Sequence, residues 1–106
     1  MKISYLIAMT TALSFSATVF AADEGEALFK KSGCNACHAT AGKGVGPSLK
    51  EIAAKYRGDI EAPAKLEAKM RSGGSGNWGK MPMPPVAKSV SDENIKVIIQ
   101  WVLSLK

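Results

Sequence analysis

Both cysteines and the only histidine of this 106-residue chain fall within five consecutive positions, Cys34-Asn35-Ala36-Cys37-His38. The C-x-x-C-H spacing is a haem attachment pattern. Two thiols three positions apart on a tight helical turn can add to the two vinyl groups of a porphyrin. The next residue's imidazole is then held beneath the iron, where a neutral ring nitrogen is a good axial ligand. Asn35 and Ala36 are small spacers that let the turn close. Three other readings compete. A thioredoxin-like dithiol normally sits at a strand-to-helix junction, and no strand-rich pattern precedes Cys34. A disulfide across so short a loop removes little unfolded-state entropy. A zinc site lacks a fourth ligand.

The chain opens with Lys2, then an apolar stretch from Ile3 through Leu13, Phe15 and Val19 to Ala21-Ala22, followed by Asp23-Glu24. This pattern predicts a secretory signal peptide over residues 1–22, cut after Ala21 or Ala22, and a functional domain over residues 23–106. A retained anchor is the alternative, but Thr10, Thr11, Ser14, Ser16 and Thr18 interrupt the segment, which is short for a bilayer crossing. No stable membrane insertion is expected after processing. Removing residues 1–22 from 106 leaves 84, near the size at which an apolar core alone gives little margin. Of 14 basic residues only Lys2 precedes Asp23, so 13 remain against 9 acidic ones, a formal +4. They are scattered, which argues against nucleic-acid binding and suits mild electrostatic steering toward an acidic protein surface.

Iron held by one histidine needs a second ligand if the site is to be closed. The candidates after Asp23 are Met70, Met81 and Met83. Met70 lies in a helical pattern beside Leu66 and reads as core filling. Met81 and Met83 lie in Gly79-Lys80-Met81-Pro82-Met83-Pro84-Pro85, which cannot form a regular helix. Met83 is flanked by prolines on both sides, and a stiff extended loop can present a weakly binding thioether with little entropy to lose. Met81 also precedes a proline, so the residues alone favour Met83 without excluding Met81. A thioether opposite an imidazole suits electron transfer and fills the position a substrate would need. An enzyme or gas sensor with an open iron site, and a thiol redox module, are the rivals from other classes.

The rest reads as four or five helical pieces joined by glycine- and proline-rich loops, an all-α expectation with no convincing strand. The first covers about residues 25–32, with Ala27, Leu28 and Lys31 on one face, Phe29 adding bulk and Gly33 as its stop. Gly42, Gly44 and Gly46 mark a loop ending at Pro47, whose carbonyl suits orientation of the nearby imidazole. Ser48 caps a helix with Glu51 as its capping-box partner and Ile52, Ala53 and Tyr56 as its apolar face, ending at Gly58. Another helix is predicted from about Ala62 to Arg71, with Leu66 and Met70 paired. Trp78 follows a glycine-serine loop and is either a core aromatic or a donor to a haem propionate. Ser91 caps the last helix, whose stripe is Ile95, Ile98, Ile99, Val102 and Leu105, broadened by Trp101. The first and last helices are expected to pack together over the haem.

The pieces Leu28-Phe29-Lys30, Gly33-Cys34, Cys34 to His38, Val45-Gly46-Pro47, Trp78-Gly79, Met81 to Pro85, Val90-Ser91-Asp92 and Trp101 to Ser104 occur in a specific order and spacing. In these the chain resembles the bacterial class I cytochromes c of the c551 (c8) type, over nearly all of residues 23–106. The resemblance implies an all-α fold of four to five short helices around one haem c attached through Cys34 and Cys37. It implies His38 as proximal ligand, Met83 as distal ligand, Pro47 as acceptor from the imidazole and Trp78 as propionate donor. Lys69 falls where an arginine often assists with the propionate, and is a point charge rather than a fork. Val86 stands where some relatives have asparagine. The implied job is non-enzymatic: a periplasmic monohaem carrier shuttles single electrons to and from redox proteins through the exposed haem edge. Its partners would be a bc1-type complex or a copper protein, and a terminal reductase or oxidase such as nitrite reductase.

Overall fold

The computed structural model describes residues 18–106 together with Ala12, and side chains from Asp23 onward. The expected signal segment therefore lies largely outside the described residues. Among the described residues the fold has four α-helices and one short 3₁₀ turn: α1 (Thr18–Lys31), the turn Cys34–Ala36, α2 (Leu49–Lys55), α3 (Ala62–Ser72) and α4 (Asp92–Ser104). The architecture is all-α, as expected. No helix among the described residues is long and apolar enough to cross a membrane.

The first helix begins earlier than the periodicity from residue 25 suggests. Its backbone runs through Ala21 and Ala22, strong helix formers with no proline or glycine between them and Gly25. Its inward face also differs from the expected one. Gly25 and Phe29 are buried and Leu28 is half-buried, whereas Ala27 and Lys31 are exposed. The reason is a close helix crossing: a Cβ on Gly25 would collide with the Cβ of Trp101 and come within 3.1 Å of the Val97 carbonyl oxygen. Phe29 completes the contact, its ring centroid 5.3 Å from that of Trp101 at a 55° tilt.

The other helices follow their local signals. At Ser48 the full capping box forms: the Ser48 hydroxyl accepts from the Glu51 N–H (3.2 Å), and the Glu51 carboxylate accepts from the Ser48 N–H (3.1 Å). Pro63 sits in the first turn of α3, where its missing N–H is harmless. Ser91 accepts from the Asn94 N–H to start α4. The apolar stripe of α4 is the centre of the core, with Ile95, Ile98, Ile99 and Val102 all buried. Phe29 of α1 and Leu49 of α2 pack against it, and Ala53 of α2 and Ala62 of α3 are buried as well.

Candidate functional site

Gly33 adopts φ +78°, which ends α1 and turns the chain directly into the 3₁₀ turn. The carbonyl of Cys34 accepts from the N–H groups of both Cys37 (3.2 Å) and His38 (3.0 Å), so the C-x-x-C-H segment is a closed coil. Both cysteines are half-buried free thiols. Burial pushes the Cys34 thiol above its ordinary value, and the neighbouring Cys37 adds to that, against a smaller opposing backbone hydrogen bond. A dithiol exchange nucleophile needs the opposite shift. No three His, Cys, Asp or Glu side chains among the described residues converge as a metal cluster.

The loop after His38 folds back over it. Gly46 N–H donates to the Cys37 carbonyl at 2.8 Å, and His38 Nδ1 lies 2.8 Å from the Pro47 carbonyl oxygen. Because a carbonyl only accepts, Nδ1 carries the proton, and Nε2 is left with its lone pair free to bind a metal. Gly46 is required by space: a Cβ there would come 2.9 Å from His38 Cε1 and 3.1 Å from Nδ1.

The methionine loop is tied at two points. Met83 and Gly74 form an isolated antiparallel bridge, and the Val86 N–H donates to the Met70 carbonyl at 2.7 Å. This pairing lies outside the helix-only expectation. It needs Gly73 at φ +64°, where a Cβ would come 2.5 Å from the Met83 carbonyl oxygen. The two candidate methionines differ in setting: Met83 is half-buried, whereas Met81 is 69% exposed.

Cys34, Cys37, His38, Pro47, Trp78, Met81 and Met83 all line one cavity of about 380 Å³. Its apolar walls come from all four helices, with Phe29, Leu49, Ile52, Leu66, Met70, Ile98, Ile99 and Val102 among them. Exposed Val45, Trp78 and Met81 lie where it meets solvent. Trp78 lines the cavity mouth, 43% exposed, and its indole N–H has no hydrogen-bond partner among the described residues. Lys69 also lines the cavity and makes no ion pair among the described residues. An apolar cavity bearing two thiols and an oriented imidazole fits a porphyrin attached at its edge.

Sequence reasoning passed over Leu49, only 2% exposed, although its spacing to Ile52, Ala53 and Tyr56 could have found it. Nothing local marked Gly73 and Gly74 as the clamp on Met83.

The cytochrome c family model matches residues 22–106. The chain belongs to that family. Cytochrome c-551 of Azotobacter vinelandii is 49% identical over 84 residues, covering 79% of this chain and 100% of the relative. Cytochrome c-551 of Allochromatium vinosum is 50% identical over 78 residues, covering 74% and 82%. The crystal structure of Nitrosomonas europaea cytochrome c552 superposes with a TM-score of 0.72 at 47% identity, covering 76% of this chain and 99% of that one. The chain is a class I cytochrome c of the c551/c552 type, a periplasmic monohaem electron carrier rather than an enzyme. Its two cysteines are positioned to attach haem c, and it exchanges electrons with other redox proteins.

Proposed function

We propose that Cys34 and Cys37 hold one haem c by thioether bonds, with His38 as proximal and Met83 as distal iron ligand. The observation that carries this reading is a single apolar cavity lined by both thiols, an imidazole with Nδ1 engaged, and a methionine pinned through its backbone. The haem supplies the one-electron couple. The protein's own residues do the rest: Pro47 fixes the imidazole tautomer, the Gly74 bridge holds Met83 in reach, and Trp78 donates its indole N–H to a propionate. Two protein ligands leave no position for a substrate, and a thioether favours the reduced iron.

The same reading takes residues 1–22 as a signal peptide cut after Ala21 or Ala22. The remaining domain shuttles electrons from a bc1-type complex or a copper protein to a terminal reductase or oxidase such as nitrite reductase. Its formal +4 charge supports steering toward acidic partners, so transfer rates to such a partner should fall with ionic strength.

An optical redox titration of the mature protein tests the ligand set. A one-electron low-spin couple with a sulfur-to-iron band in the near infrared is expected, and Met83→His should abolish that band. A band that survives Met83→His and vanishes in Met81→Leu would move the ligand to Met81. A high-spin ferric spectrum would favour an open site, and a colourless protein would refute the haem assignment.

A further inference from the structure

Lys55, the last residue of α2, reaches across to the loop that carries Trp78. Its ammonium lies 4.5 Å from the centroid of the Trp78 ring and 5.8 Å from that of Tyr56. It also donates to the Asn77 carbonyl at 3.4 Å. These contacts bring α2 and the 75–79 loop together through one charged side chain. That loop has no helix of its own, and Ser75, Gly76 and Gly79 give it little bulk.

We infer that Lys55 is a positioning residue for Trp78, and through it adjusts the redox balance of the carrier. The inference rests on Trp78 facing the haem, as proposed above. A cation over an indole face is attracted to the ring, so the ring plane becomes fixed. The same charge draws electron density from the indole and strengthens its N–H as a donor. The Asn77 carbonyl bond holds the backbone one residue upstream, so ring and chain are restrained together. Trp78 lies at the cavity mouth in a loop outside the four helices, so these two contacts are what tie it to α2.

The test uses the purified holoprotein with Lys55→Met and Lys55→Arg. Methionine keeps an unbranched stem and loses the charge, while arginine keeps the charge and stacks on aromatic faces. Two quantities are read: solvent exchange of the Trp78 indole N–H by NMR, and the ratio of reduced to oxidised protein at a fixed ambient potential. Lys55→Met should speed indole exchange about two- to fivefold and lower the reduced fraction. Lys55→Arg should leave both close to the parent.

A distant point charge would also favour reduced iron, so the cycle is repeated in Trp78→Phe, which has no N–H to position. There the effect of Lys55→Met on the redox ratio should shrink by half or more. Unchanged indole exchange in Lys55→Met, failure of Lys55→Arg to preserve it, or additive effects in the cycle would each overturn the inference. Failure of the underlying reading looks different: Trp78→Phe alone would leave the redox ratio untouched, or the protein would carry no haem.

Discussion

Gly74 and Met83 hold each other by two reciprocal backbone hydrogen bonds, each 2.9 Å long. The pair joins the end of α3 to a loop stiffened by Pro82, Pro84 and Pro85. A methionine side chain alone has three rotatable bonds and little orientation of its own. Fixing its backbone removes much of the freedom that the proposed binding of Met83 to iron would have to freeze.

That clamp depends on Gly73, whose φ of +64° and ψ of −156° suit glycine and whose missing Cβ leaves room for the Met83 carbonyl and Pro85 nitrogen. Gly73→Ala should therefore destabilise the protein by about 1–3 kcal/mol and weaken the sulfur-to-iron band. Gly76→Ala is the control, since a Cβ at Gly76 meets nothing within 4 Å although its φ is +118°. It should lose stability through backbone strain while leaving the band intact. Urea midpoints and near-infrared spectra of both variants check this.

The contrast between Ser48 and Gly25 explains how much was legible beforehand. Ser48 with Glu51 is local side-chain-to-backbone chemistry, readable at a spacing of three. The α4 stripe and the Cys34 to His38 motif are equally local. Gly25 is buried because Trp101, at the other end of the chain, needs the space, and no neighbouring residue announces that. The Gly74–Met83 bridge and the Lys55 contact with Trp78 are likewise products of tertiary closure. Trp78 had two open readings for the same reason: its exposure depends on where α2 and the methionine loop end up.

Gly46 makes a separate prediction about the imidazole. A Cβ there would press on His38 Cε1 and Nδ1, while the backbone of Gly46 has no left-handed φ to strain. Gly46→Ala should tilt the ring and weaken the Nδ1–H bond to Pro47, lost at about 1 kcal/mol. A less basic imidazole stabilises oxidised iron less, so the reduction potential should rise. A redox titration reads the direction.

Arg71 ties the methionine-loop exit to α4. Its guanidinium donates to the carbonyls of Ala87 (3.1 Å) and Val90 (2.6 Å) and to Asp92 Oδ1 (2.7 Å). Arg71→Lys keeps the charge but cannot span three acceptors, and should cost about 1.5–3 kcal/mol. Asp92→Asn, which touches only the more exposed partner, should cost no more than about 1 kcal/mol. Denaturant midpoints of the two variants separate the fork from the ion pair.

Asp59 carries a pH dependence at the α2–α3 junction. The Lys65 ammonium, 2.8 Å away, and then the Glu61 N–H hold its carboxyl below the usual range. A lowered folded value means that the stabilisation is present above the unfolded carboxylate range and is lost as pH falls through the folded value. Lys65, raised chiefly by its bond to Asp59, is the same pair seen from the alkaline side: its contribution holds below the unfolded lysine value and is lost as pH rises through the raised one. Asp59→Asn should flatten both limbs of the stability profile, and its urea midpoint should converge with the parent's at low pH. Lys65 is exposed and Asp59 only half-buried, so the effect should be small and should shrink with salt.

Haem removal should abolish the cooperative fold. Among the described residues, five of the eight buried apolar side chains, Phe29, Leu49, Ile98, Ile99 and Val102, line the cavity as well as the core. Without the ring these side chains face about 380 Å³ of space that opens to solvent, and water entering it would wet the apolar groups that hold the helices together. An ordinary domain has only about 5–15 kcal/mol of stability to lose. Circular dichroism of the haem-free chain in mild buffer should therefore give a broad, weak transition with helix content well below the holoprotein. A sharp melt near the holoprotein's would mean that α1 and α4, joined through Gly25 and Trp101, suffice to fold the chain alone.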